Sequence, residues 1–122
     1  MGLTHNHILN RSMKADGAVP EKRFFKAAGS LCGAGEQAAG VSVSAAAATG
    51  DVFGGCLLGL AIVATGGSVS VGDYVESDAD GKAIEKDTGI SMGLVMEVGT
   101  GECQVHLCSH GNTVVEVEVP AP

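Results

Sequence analysis

Asp51-Val52-Phe53-Gly54-Gly55-Cys56-Leu57-Leu58-Gly59-Leu60-Ala61-Ile62-Val63-Ala64-Thr65 is the stretch whose reading decides the fold class. Its apolar core, Cys56 to Ala64, is too short to cross a bilayer as a helix, which needs about 20 residues. Glycines recur through it, and they weaken helices. A short apolar run bounded by turn signals is a fully buried strand. We read two strands here, Asp51 to Leu58 and Leu60 to Thr65, hinged near Gly59. The composition agrees: 19 glycines, no Trp, three Phe and one Tyr among 122 residues. Few residues can line a long amphipathic helix, whereas tight turns between short strands use glycine freely.

The neighbouring segments carry the same pattern. Upstream, Val41-Ser42-Val43-Ser44 alternates with period two, and Ala45 to Ala48 is a connection or strand end, too short to nucleate a helix. Downstream, Gly66-Gly67 is a turn, Ser68-Val69-Ser70-Val71 alternates again, and Gly72-Asp73 introduces Tyr74-Val75-Glu76. Asp78-Ala79-Asp80-Gly81 is the clearest hairpin turn, because Asp-Gly accepts the positive φ of tight hairpins. Lys82 to Glu85 returns from it. Met92 to Val98 and Glu102 to Ser109 are strands around a Gly99-Thr100-Gly101 turn, and Val114 to Val119 alternates as a last strand closed by Pro120. The expected fold is mainly β: a small Gly-rich antiparallel β-barrel, β-tulip-like or sandwich, with an extended N-terminal arm. The arm spans 1–20 and the barrel-like domain 21–122.

Charge is segregated along the chain. Residues 1–28 hold Arg11, Lys14, Lys22, Arg23 and Lys26 against Asp16 and Glu21, a net of +3; the remainder carries −10, giving −7 in all. A basic arm on an acidic body either frays with chance charges or docks on an acidic neighbour, including another copy of the body. The acidic balance argues against generic nucleic-acid binding, which requires cations to neutralise phosphates. The polar start Met1 to His7 lacks the apolar middle of a signal peptide. A soluble protein of a reducing compartment is expected, with its four cysteines as free thiols and small core residues.

Catalytic patterns are sparse. No Gly-x-Ser-x-Gly elbow is present, and Gly29 to Gly35 lacks the Lys-Ser/Thr ending of a phosphate loop. Asp73, Glu76, Asp78 and Asp80 flank one hairpin, where carboxylates are expected to stay solvated. The hairpin does not match a calcium loop, which needs Gly at its sixth position and Glu at its twelfth. The sharpest metal pattern is His106, Cys108 and His110, which fall on one face of a strand and can present three ligands to Zn²⁺; the opposite face, Cys103, Val105 and Leu107, reads as core. Without a Cys-x-x-Cys pair, the plainer reading is a solvent or subunit-contact face, and no metal or other cofactor is assigned. In Lys22-Arg23-Phe24-Phe25-Lys26, alternation predicts that one Phe anchors the first strand and the other meets a partner.

An ordered set of segments carries a resemblance. It runs from Arg23-Phe24-Phe25-Lys26 through Gly40-Val41-Ser42-Val43, Thr49-Gly50-Asp51-Val52 and Gly59-Leu60-Ala61-Ile62-Val63. It continues through Val71-Gly72-Asp73-Tyr74-Val75, Asp78-Ala79-Asp80-Gly81-Lys82-Ala83 and Gly93-Leu94-Val95-Met96-Glu97. In that order, across about residues 20–110, the chain resembles the capsid cement, or head decoration, proteins of tailed bacteriophages. The cysteine content, the 20-residue arm and the missing Ala after Gly93 depart from the family's pattern. The resemblance implies a non-enzymatic structural protein on the outer surface of the virion. It implies a homotrimer that bridges major capsid protein subunits against internal DNA pressure, with no nucleic-acid or membrane partner. The expected capsid or subunit contacts are Arg11, Lys14, Arg23, Phe24 and Phe25. The rival readings are a small barrel carrier of the lipoyl or biotinyl kind, with Lys82 near a hairpin tip, and a metal-dependent hydrolase at His106, Cys108 and His110.

Overall fold

A computed structural model describes residues 6–107. Every regular element among them is a strand: β1 (Asn6–Lys14), β2 (Phe24–Phe25), β3 (Gly40–Ser42), β4 (Val52–Ala64), β5 (Tyr74–Ser77), β6 (Ala83–Glu85), β7 (Gly93–Val98) and β8 (Glu102–Leu107). They form one antiparallel sheet in the order β2-β3-β4-β8-β7-β5-β6, nearly closed into a barrel, with β1 laid on β4 outside this path.

The deciding stretch is the spine of the sheet. It is one continuous strand, β4, and not two strands hinged at Gly59. One of its edges carries β1, from Lys14 opposite Val52 to Asn6 opposite Leu60. The other carries β3 at Gly55 and Cys56, then β8 from Gly59 to Ala64. Gly59 has φ +118°, yet it pairs with His7 on one side and Leu107 on the other. A side chain there would run into the Asn6 carbonyl and the Ile8 amide. The glycine therefore accommodates a bulge in β1, whose register shifts between His7 and Asn10. Pairing on both edges holds β4 continuous through it.

Closure comes from the β5–β6 hairpin. The Phe24 amide donates to the Gly81 carbonyl at 2.7 Å, tying β2 to the hairpin tip. At the far end of β4, Thr65 bridges Ala83, and Gly66 donates to the Ala83 carbonyl at 2.9 Å. The main core gathers Phe24, Val41, Cys56, Val63, Val75, Val95, Cys103 and Val105. A second cluster, Ala15, Val19, Phe25, Ala46 and Phe53, lies beneath the start of β4. There the Phe25 and Phe53 rings meet edge to face at 5.1 Å, the geometry their quadrupoles favour.

Most expected strands are present. The hairpin at Asp78–Gly81 joins β5 to β6, and Cys103, Val105 and Leu107 are buried as alternation requires. Gln104 is buried as well, although it belongs to the opposite face. Ser68 to Val71 is not a strand: the Asp73 carboxylate accepts the Ser70 amide at 2.8 Å and bends the chain into a turn before β5. The alternating segment Val114 to Val119 lies outside the described residues.

Candidate docking surface

The basic segment enters the fold as β1. Its C-terminal end is anchored: Ala15 donates to the Asp51 carbonyl at 2.7 Å, Val19 and Ala46 exchange backbone hydrogen bonds, and Ala15 and Val19 belong to the second cluster. Along the strand itself most side chains are exposed, while Met13 packs against the second cluster. Ile8 is 71% exposed and Leu9 50%; at the other end of the strand Val52 of β4, opposite Lys14, is 66% exposed. Exposed apolar side chains at both ends of the strand make it a candidate contact surface.

The five cations of residues 1–28 divide into two kinds. Lys22 reaches Glu102 at 2.9 Å, and this hydrogen bond and charge raise the lysine's pKa above its ordinary value. Lys26 reaches Glu36 at 3.3 Å. Glu36 also accepts the Gly33 amide at 2.9 Å; that bond, then Lys26, holds its carboxyl below the usual range. The Arg23 guanidinium donates to the Asp80 carbonyl at 3.1 Å. These three staple the body together. Arg11 and Lys14, both exposed on β1, have no side-chain hydrogen bond or ion pair among the described residues.

Phe24 and Phe25 are corrected as contact residues, since both are 0% exposed. Phe24 faces the main core and Phe25 the second cluster, so the two faces of β2 are both interior. Alternation places neighbouring residues on opposite faces but does not reveal that a second cluster covers the outer one. Sequence reasoning also missed an exposed apolar group on the β5–β7 flank: Val71, Tyr74, Met96 and Val98. No contiguous apolar run signals it, since Gly72, Asp73 and Glu97 interrupt these residues in sequence.

The carboxylates of the hairpin region build turns. Asp78 accepts the Asp80 and Lys82 amides at 2.8 and 2.9 Å. Glu76 was expected to be solvated, but it is only 7% exposed and accepts the Asp87 and Gly89 amides, each at 2.8 Å. It organises the loop from β6 to β7, where those amides would otherwise lack partners. Cys32, Cys56 and Cys103 are buried free thiols. Burial raises all three, Cys103 to about 11, which suppresses the nucleophilic thiolate. His106 is exposed on β8 between Leu60 and Leu94. Cys108 and His110 lie outside the described residues, and among those described no group of three His, Cys, Asp or Glu is placed to hold a metal. A shallow depression is lined by Ala27, Gln37, Ala38 and Ala39, with Gln37 as its polar side chain. No helix of the described residues is long and apolar enough to cross a membrane.

This chain matches no protein-family model, no curated protein and no solved structure.

Proposed function

We propose that the protein decorates the outer surface of a tailed-phage head, binding major capsid protein subunits as a non-enzymatic trimeric clamp. The observation that carries the reading is β1: Arg11 and Lys14, two cations without a side-chain partner among the described residues, share the strand with exposed Ile8 and Leu9, and Lys14 lies opposite exposed Val52, on an otherwise acidic chain. The ordered motif set supports it, since its Gly-Asp turn and hairpin fall at the turns of the barrel. The charge supports it too. A body of net −10 is repelled by packaged DNA, which suits the exterior of a shell. Apolar contact supplies the attraction and the cations set register, because exposed ion pairs alone contribute only about 0–1 kcal/mol. Many copies on a lattice gain avidity from simultaneous engagement.

The carrier reading requires Lys82 to project from a free hairpin apex. Here the Lys82 amide is held by Asp78, and the tip is docked on Phe24 through Gly81. The decoration reading is tested by mixing the purified protein with undecorated phage heads and sedimenting them. Saturable co-sedimentation that weakens in part with salt is expected. Absence of binding at saturating protein would overturn it.

A further inference from the structure

We propose that Ile8, lifted out of the β1–β4 ladder by a pair of compensating bulges, is the anchor that seats the clamp in an apolar pocket of the capsid protein, with Arg11 meeting a carboxylate at the pocket's edge. The inference rests on the decoration reading and names the contact within it. His7 lies opposite Gly59 and Leu9 opposite Leu58, so Ile8 has no residue facing it on β4. Asn10 then lies opposite Cys56, so Leu57 has none facing it on β1. Each strand thus carries one extra residue, and the register is regular again from Asn10 to Lys14. The core shows the same slip on β4. Cys56 and Ala61, five residues apart, both belong to the main core, although strict alternation puts them on opposite faces.

The two extra residues fare differently. Leu57 packs against the second core cluster. Ile8 is 71% exposed, the highest value among the large apolar side chains described. A bulge disrupts the ladder locally and re-aims a side chain, and here the re-aimed side chain gains little burial within the chain. The plainer reading is a bulge that guards a sheet edge against pairing. Guarding positions carry charge or proline, because an apolar side chain invites the contact that the guard prevents. This one carries isoleucine, and Gly59, at φ +118°, leaves free the space that a side chain would take from the Ile8 amide.

The neighbours of Ile8 state the chemistry of the pocket. Leu9 and Leu58 face each other across the ladder, and both are exposed, so three large apolar side chains stand together at this end of β1. Arg11 follows Leu9 by two residues, which places it on the same face about 7 Å further along the strand. Its guanidinium is exposed and has no side-chain partner among the described residues. Lys14 falls on the opposite face and lies outside this contact. A partner complementary to the group offers an apolar pocket for Ile8, an apolar lip for Leu9 and Leu58, and a carboxylate for Arg11. One well-filled pocket of this kind carries a large share of the affinity of a small interface.

The test is a binding isotherm of the full chain on undecorated phage heads, read by co-sedimentation, with the urea midpoint of each variant measured in parallel. Ile8→Ala should weaken binding at least tenfold while the midpoint stays at the wild-type value, because the side chain is exposed. Arg11→Glu should weaken it likewise and remove part of its salt dependence; this variant decides the matter if Ile8→Ala disturbs the fold. Lys14→Glu, on the other face, and Val71→Ala, on the β5–β7 flank, should each bind within about threefold of wild type. Wild-type binding that Ile8→Ala and Arg11→Glu leave within twofold would overturn this inference alone. So would equal losses for Ile8→Ala and Val71→Ala. A wild-type chain that leaves the heads bare would overturn the decoration reading, and this inference with it.

Discussion

Phe24 and Gly81 are joined by a 2.7 Å hydrogen bond from the Phe24 amide to the Gly81 carbonyl, and this contact closes the sheet between β2 and the β5–β6 hairpin. Gly81 has φ +74° and is buried; a side chain there would meet Leu31 Cδ1 at 2.7 Å and the Phe24 carbonyl at 2.9 Å. Gly81→Val combines a left-handed backbone that β-branched residues resist with a collision against β2. It should lower unfolding stability by about 2 kcal/mol or more, read as a lower urea midpoint. An unchanged midpoint would mean that the hairpin does not close the barrel.

Glu76 supplies the acceptor for two loop amides. Glu76→Ala leaves the Asp87 and Gly89 N–H groups in a part-buried site without their partner, at a cost of about 1–3 kcal/mol. Amide hydrogen exchange should rise at Asp87 and Gly89 more than in β4. Equal protection in the variant would contradict the role assigned to Glu76.

The thiols give a pH dependence with a definite sign. Burial raises Cys103 from 9.0 to about 11 in the folded protein. Between these values the unfolded chain has lost this proton while the folded chain retains it, so ionisation favours unfolding. The stabilisation is full below pH 9 and is lost as pH rises toward 11. Cys103→Ala should flatten that alkaline decline while lowering stability at neutral pH through the cavity it leaves. Thiol reagents should label Cys32, Cys56 and Cys103 only on unfolding; rapid labelling of the native protein at pH 7 would count against their burial.

Phe53 and Lys22 should separate packing from surface charge. Phe53→Ala removes one half of the edge-to-face pair with Phe25 and should cost about 3–5 kcal/mol. Lys22→Ala breaks an ion pair whose members are part exposed and should cost no more than about 1 kcal/mol. Equal losses in denaturant melts would contradict the ranking.

The sheet was legible wherever local chemistry and tertiary pairing agree. The Asp80-Gly81 turn, the alternation through Cys103, Val105 and Leu107, and the apolar run of β4 are examples. It was illegible where the outcome rests on a distant partner. Gly59 looks like a hinge in sequence, and only the pairing of β1 and β8 on either side makes it a bulge within one strand. Ser68 to Val71 alternates, but Asp73 captures the Ser70 amide first. Phe24-Phe25 shows opposite faces, while the second core that buries Phe25 is assembled from residues far apart in sequence. At the docking surface, the concentration of cations before residue 28 was visible. Which of them the body would neutralise was not: that follows from Glu102 and Glu36 reaching Lys22 and Lys26.

Cryo-electron microscopy of undecorated heads incubated with the protein is the most direct test of the central claim. The account predicts added density on the outer face at local and true three-fold positions, with β1 turned toward the capsid protein or a neighbouring copy. Shells that remain bare at saturating protein, or density confined to the interior, would contradict it.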